Sequence, residues 1–228
     1  VTTLSKGNLS SHTQKLEEAG YLKTTKAFRD RMPARVLGRQ VSAIVWRTFG
    51  QERVEEMAQY AGVPVVNALT DEFHPCQILA DFAAVADARG GVDKLAGLTL
   101  AYVGDGANNM AHSYLLGGAV AGMHVRVGTP ADYMPNEQYV LDAKRIAAEN
   151  GGSVTVTTDH DDAVRGADII ATDTWVSMGD EAESSERLGR FDPYQVNAHS
   201  LEIAAPGAHV LHCLPAYRGK EVSAEVMD

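Results

Sequence analysis

The spacing of apolar and polar positions changes period repeatedly along the chain. Residues 41–46 (Val-Ser-Ala-Ile-Val-Trp) form a short, mostly apolar run and predict a buried strand. Residues 52–61 switch to helical spacing, with Val54, Met57, Ala58 and Ala61 on one face. A second strand is predicted over 63–68. A helix follows over 77–88, with Ile78, Leu79, Phe82 and Val85 turned inward. The alternation continues: strand 98–103, helix 109–121, strand 123–127, and helix 136–150 closed by Gly151-Gly152. Strand 153–158, a short helix 160–166, strand 167–172 and a last strand 208–212 complete it.

Strands separated by helices of this length pair in parallel through right-handed crossovers. The fold class is therefore α/β: a parallel sheet with helices on both faces. One Rossmann-like domain is near-complete, and a second α/β domain is partial. In such sheets ligands sit beyond the carboxyl ends of the strands. Arg47 and the segments 71–77, 104–109, 173–179 and 213–215 are thus expected to converge on one crevice.

Composition narrows the class without changing that picture. Of the 228 residues, 45% are apolar and 22% charged, an ordinary globular balance. No apolar run approaches the roughly 18 residues a membrane span needs. The first residues lack the layout of a signal peptide. Two cysteines, Cys76 and Cys213, make no disulfide framework and point to a reducing, cytoplasmic setting. Net charge is −10, unevenly spread. Residues 1–35 carry seven basic against three acidic side chains, so the acidic excess lies entirely beyond them. Within that basic stretch, residues 9–21 read as a short capped helix and 22–33 as a basic ribbon. The pair resembles the recognition helix and wing of MarR-like regulators. An amphipathic helix followed by a solvated basic loop is the plainer reading, since charge runs are usually surface.

Four segments carry chemistry. His74 and Gln77 stand at the mouth of a predicted helix, where free N–H groups attract anions. His74 can donate to a carbonyl oxygen and Gln77 can accept from an amide NH2, which suits a small planar group such as a carbamoyl. Arg47 adds positive charge against a developing oxyanion. The run Gly104-Asp105-Gly106-Ala107-Asn108-Asn109 opens another helix but is neither a dinucleotide fingerprint nor a Walker loop. Asp173 can pair with an ammonium group, with Ser177 and Met178 following on a loop suited to closing over a substrate. Cys213 and Leu214 end the last strand. No metal-binding spacing is present, and no metal site is expected. Taken singly, each element has a plain reading too: His74 as a helix cap, Arg47 as an ion-pair partner, the asparagines as turn residues, Cys213 as a buried thiol.

The set His-Pro-Cys-Gln at 74–77, Asp-Gly-Ala-Asn-Asn-Met at 105–110, Asp-Thr-Trp-Val-Ser-Met-Gly at 173–179 and His-Cys-Leu-Pro at 212–215 closely resembles ornithine carbamoyltransferases, over roughly residues 35–228. The resemblance implies three segments: a winged-helix-like piece over 1–34, a partial carbamoyl-phosphate domain with its linker helix over 35–82, and an ornithine-binding domain over 83–228. It implies that Arg47, His74 and Gln77 hold carbamoyl phosphate. Asn109, Asp173, Ser177 and Met178 would hold L-ornithine, and Cys213 with Leu214 would line the reacting centre. Arg47, His74 and Cys213 would be the catalytic set, with Cys213 positioning the ornithine side chain or accepting its proton. The products would be citrulline and phosphate. No cofactor is implied, and the protein would be a homo-oligomer, a trimer in the family. Neither a nucleic-acid nor a membrane partner is expected.

Two family elements are absent from the sequence. The Ser-x-Arg-Thr-Arg segment that binds phosphate does not precede Arg47, and the acidic-Asn-Arg element does not follow 213–215. The expectation is a transferase impaired by truncation. The alternatives are an inactive amino-acid-binding fragment or a DNA-binding regulator fusion through residues 1–34.

Overall fold

Pro33 can begin a helix but not continue one, because its missing N–H is one the first turn leaves unpaired anyway. Helix α1 (Met32–Gly38) starts one residue before it. The structure, a computed structural model, describes residues 32–176 and 184–227. The helix and ribbon expected over 9–33 fall outside that span except for Met32 and Pro33, which belong to α1 rather than to a ribbon.

Two compact units are present: Val1–Ile44 with Glu55–Val66, and Val45–Val54 with Asn67–Asp228. Residue 82 lies inside a continuous helix whose buried face belongs to the larger unit. In the smaller unit, Gly38 lies so close to the Ala61 carbonyl that a β-carbon would stand 1.7 Å from its oxygen. The Ile44 amide donates to the Pro64 carbonyl at 2.9 Å.

Strands β1 (Ile44–Arg47) and β2 (Val65–Leu69) pair as a two-stranded sheet, with helix α2 (Gln51–Ala61) between them in sequence. β1 starts later than expected and is not buried throughout. Its burial alternates, and Val45 is 71% exposed. A period of two with one uncovered face accounts for this.

The larger unit holds the main sheet. Its strands are β3 (Thr99–Val103), β4 (His124–Gly128), β5 (Ser153–Thr157), β6 (Ile169–Thr172) and β7 (His209–His212), in the order β5-β4-β3-β6-β7. All pairings are parallel, with Ala101 opposite Ile170 and Thr172 opposite His212. The helices between them are α3 (Pro75–Arg89), α4 (Asn109–Val120), α5 (Glu137–Asn150), α6 (His160–Val164), α7 (Ser184–Phe191) and α8 (Ala198–Ile203). β3 shows why the sheet is covered twice. Leu100 and Tyr102 point into the cluster built with α3, α4 and α5. Ala101 and Val103 point into the opposite cluster with Ala163, Val164 and Ile170. α3 buries Ile78, Phe82, Val85 and Ala86, while Leu79, expected inside, is 70% exposed because it falls on the outer face. No helix among the described residues is long and apolar enough to cross a membrane.

Candidate active site

The strand order places a switch point in the sheet. The chain leaves β3 toward β4 and β5 on one side, and later returns as β6 and β7 on the other. A crevice therefore opens beyond the carboxyl ends of β3 and β6, where parallel sheets bind ligands. Val103 runs into Gly104-Asp105 and Thr172 into Asp173, so both loops emerge there. Gly104, at φ 127°, occupies backbone space that side chains rarely adopt.

Asp173 is the hub of the crevice. The Cys213 thiol donates to its Oδ1 at 3.0 Å and the Thr174 amide donates to the same oxygen at 2.6 Å. Asn108 Nδ2 reaches Oδ2 at 3.4 Å and also donates to the Tyr102 hydroxyl at 2.9 Å. Asn108 caps α4 as well, its Oδ1 accepting from the Ala111 amide at 2.9 Å. Burial first, and the Asp173 charge second, push the Cys213 thiol far above its ordinary range. Cys213 is thus a protonated donor, not a thiolate, and not a group ready to take a proton. A thiol reagent at mildly alkaline pH is expected to label exposed Cys76 and to reach Cys213 at least about 100-fold more slowly. Equal rates for the two thiols would contradict this picture.

The segment after β2 supplies the opposite wall. Thr70 turns the chain, its amide donating to the Phe73 carbonyl at 2.8 Å and its hydroxyl to Gln51 at 2.9 Å. Asn109 Nδ2 donates to the Thr70 carbonyl at 2.9 Å, and the His74 amide donates to Ser113 Oγ at 2.8 Å. The loop carrying His74 is therefore tied to α4 at two points. His74 stands at the N-cap position of α3, yet its side chain makes no capping hydrogen bond. Burial, and then the nearby Arg47 guanidinium, lower its pKa, so it is neutral at physiological pH; the charges of Asp173 and Asp81 act the other way. Arg47 is exposed and has no ion pair among the described residues. Gln77 donates from Nε2 to Asp81 Oδ1 at 2.9 Å.

Five of the expected site residues (Arg47, His74, Asn109, Asp173 and Cys213) thus lie along one connected set of hydrogen bonds and charges, with Gln77 joined through Asp81. Leu214 is 63% exposed, at φ 57°, with its amide donating to His212 Nδ1 at 2.9 Å. Ser177 and Met178 lie outside the described residues. Asp173, His212 and Cys213 also present ligand-type atoms within 4.8 Å of one another. Each is already engaged: Cys213 with Asp173, and His212 with the Leu214 amide and Glu221.

Several contributors carry no motif signal. Asp81 could have been found from its place four residues after Gln77, on the same helix face. Ser113 stands likewise four residues after Asn109, whose carbonyl its hydroxyl meets at 2.6 Å, whereas Tyr102 has no such cue. Arg187 on α7 donates to Asp105 and, at 2.8 Å, to the Trp175 carbonyl. Its guanidinium sits over the rings of Tyr133 and Phe191 at 5.0 and 5.3 Å. It fastens α7 to the loops after β3 and β6. His112 holds the 71–74 segment from α4: Nδ1 reaches the Glu72 carbonyl at 3.2 Å, while Nε2 accepts from the Asn136 amide at 3.2 Å. Burial lowers its pKa and keeps it neutral.

A parallel sheet with helices on both faces and polar side chains gathered at its switch point defines an open, doubly wound α/β protein. Residues 96–228 match the Asp/Orn binding domain of aspartate/ornithine carbamoyltransferase, and residues 4–87 match the carbamoyl-P binding domain of the same family. The chain belongs to the aspartate/ornithine carbamoyltransferase family. The second match includes most of the stretch that resembles a winged helix. An ornithine carbamoyltransferase from Bifidobacterium longum subsp. infantis is 64% identical over 195 residues, covering 86% of this chain and 61% of that protein. One from Renibacterium salmoninarum is 58% identical over the same length, covering 86% of this chain and 62% of the relative. Among solved structures, the ornithine carbamoyltransferase of Pyrococcus furiosus superposes with a TM-score of 0.82 at 44% identity, covering 91% of this chain and 65% of its own. That of Gloeobacter violaceus gives 0.78 at 48% identity, covering 86% and 65%. The chain therefore spans about three fifths of the length of the curated relatives it matches.

Proposed function

We propose that the crevice transfers the carbamoyl group of carbamoyl phosphate to the δ-amine of L-ornithine, giving citrulline and phosphate. The observation that carries this reading is the linked pair at the switch point: Asp173 bound by the Cys213 thiol, with neutral His74 and cationic Arg47 close by. The δ-amine attacks the carbamoyl carbon, a C–N bond forms, the bond from carbon to the phosphate oxygen breaks, and the proton shed by the amine goes to the departing phosphate. A neutral imidazole donates to the carbonyl oxygen, and Arg47 offsets the charge that develops on it. Gln77 accepts from the carbamoyl NH2. Asp173 and Asn109 orient the amino acid, together with Ser177 and Met178, and Cys213 and Leu214 border the reacting carbon. A carboxylate that already gathers donors is suited to an ammonium group, and positioning supplies much of the acceleration. The same reading places the protein in the cytoplasm, with both thiols free, and as a homo-oligomer.

The test is citrulline formation from carbamoyl phosphate and L-ornithine, with L-aspartate as the competing acceptor. Product from ornithine alone is expected, and His74→Ala should lower its rate about 100-fold. Absence of citrulline together with absence of calorimetric binding for either substrate would overturn the reading.

A further inference from the structure

A glutamine amide has two ends of nearly equal shape and opposite hydrogen-bonding sense. If Gln77 is to accept from a carbamoyl NH2, its oxygen must face the ligand, and something must prevent the amide from turning over. We propose that Asp81 is the positioning residue that fixes the Gln77 amide with its oxygen toward the carbamoyl group. This rests on the function proposed above and goes one residue deeper.

The geometry supports it at three points. Asp81 Oδ1 lies 2.9 Å from Gln77 Nε2, one helical turn away on α3. Carboxylate oxygens only accept, so the NH2 end of Gln77 must point at Asp81 and the oxygen must point away. That oxygen has no hydrogen-bond partner among the described residues. Asp81 itself cannot swing. It is 7% exposed, and its Oδ2 accepts from the Tyr114 hydroxyl at 2.5 Å. Tyr114 is fully buried on α4, the helix that begins with Asn109. Orientation therefore passes from the core, through tyrosine and carboxylate, to the amide. Asp81 touches no ligand in this scheme; it acts through Gln77.

Asp81→Asn is the direct test. The substituted side chain has one acceptor oxygen, and Tyr114 claims it. The new NH2 then faces Gln77, which turns over and presents its own NH2 to the carbamoyl NH2. Calorimetry should show carbamoyl phosphate bound at least about 10-fold more weakly, with inorganic phosphate, which lacks the carbamoyl group, unaffected. In a Gln77→Ala background the same substitution should cost nothing further. Tyr114→Phe, which frees one carboxylate oxygen and keeps the ring, should show the same selectivity at smaller size. Equal weakening of both probes, or a loss that persists without Gln77, would overturn the proposal in favour of a purely structural Asp81. The side-chain amide signal of Gln77 in nitrogen-edited NMR, identified by its absence in Gln77→Ala, gives a readout independent of binding. It should move in Asp81→Asn, and an unmoved signal would also overturn the proposal. Should the parent chain bind neither probe, the carbamoyl reading fails, while the NMR arm still decides the orientation.

Discussion

Asp173→Asn is expected to lower citrulline formation by about 30- to 1000-fold, corresponding to roughly 2–4 kcal/mol. Three donors converge on this carboxylate: the Cys213 thiol, the Thr174 amide and Asn108 Nδ2. An asparagine offers one oxygen in place of two and adds a donor of its own. Whichever way it turns, an NH2 meets either the thiol or the Asn108 amide, and the negative charge proposed to hold the ornithine ammonium is gone. The loss should appear in the KM for ornithine as well as in kcat, with carbamoyl phosphate binding retained. Circular dichroism and melting temperature serve as the folding control. Activity within about threefold of the parent would remove Asp173 from the mechanism.

Arg187→Met is expected to be the most destabilising single change outside the sheet core. The Arg187 and Asp105 side chains are each only 10% exposed, and they pair directly. Removing the arginine leaves a carboxylate out of water with the Ala107 amide, 2.9 Å away, still donating to its Oδ1. Breaking such a pair by deleting one partner costs about 3–5 kcal/mol, and for a chain of this size the melting temperature should fall on the order of 10 °C. The aromatic contacts to Tyr133 and Phe191 add to that loss. Arg187→Met combined with Asp105→Asn should recover most of it, because the amide oxygen still accepts from Ala107 and no charge is stranded. A single variant that melts within about 2 °C of the parent would show that the pair contributes little.

The main sheet was legible because its strands are short, apolar and separated by helices of conventional length. All five strands and α3, α4, α5 and α6 fall where the period predicts them, within a few residues. α7 and α8 were not legible. Ser184–Phe191 is polar and interrupted by Gly189, and Ala198–Ile203 has barely two turns, too few for a period to emerge. Leu79 shows another limit: an apolar residue beside an inward one need not share its face. That 47, 74, 109, 173 and 213 gather was readable through strand ends, since fold class sets where those ends emerge. The site's long-range supports were not readable. Arg187 lies 82 residues from Asp105 and Tyr114 lies 33 from Asp81, and sequence spacing carries no trace of such partnerships.

Asn108 holds the first turn of α4 with its oxygen and reaches toward Asp173 with its nitrogen. Because one side chain both starts a helix and furnishes the crevice, substitutions have little freedom at this position. Any change at Asn108 therefore acts on the helix and on the crevice together, whereas Leu214, 63% exposed, stands beside the same crevice without a helix to hold.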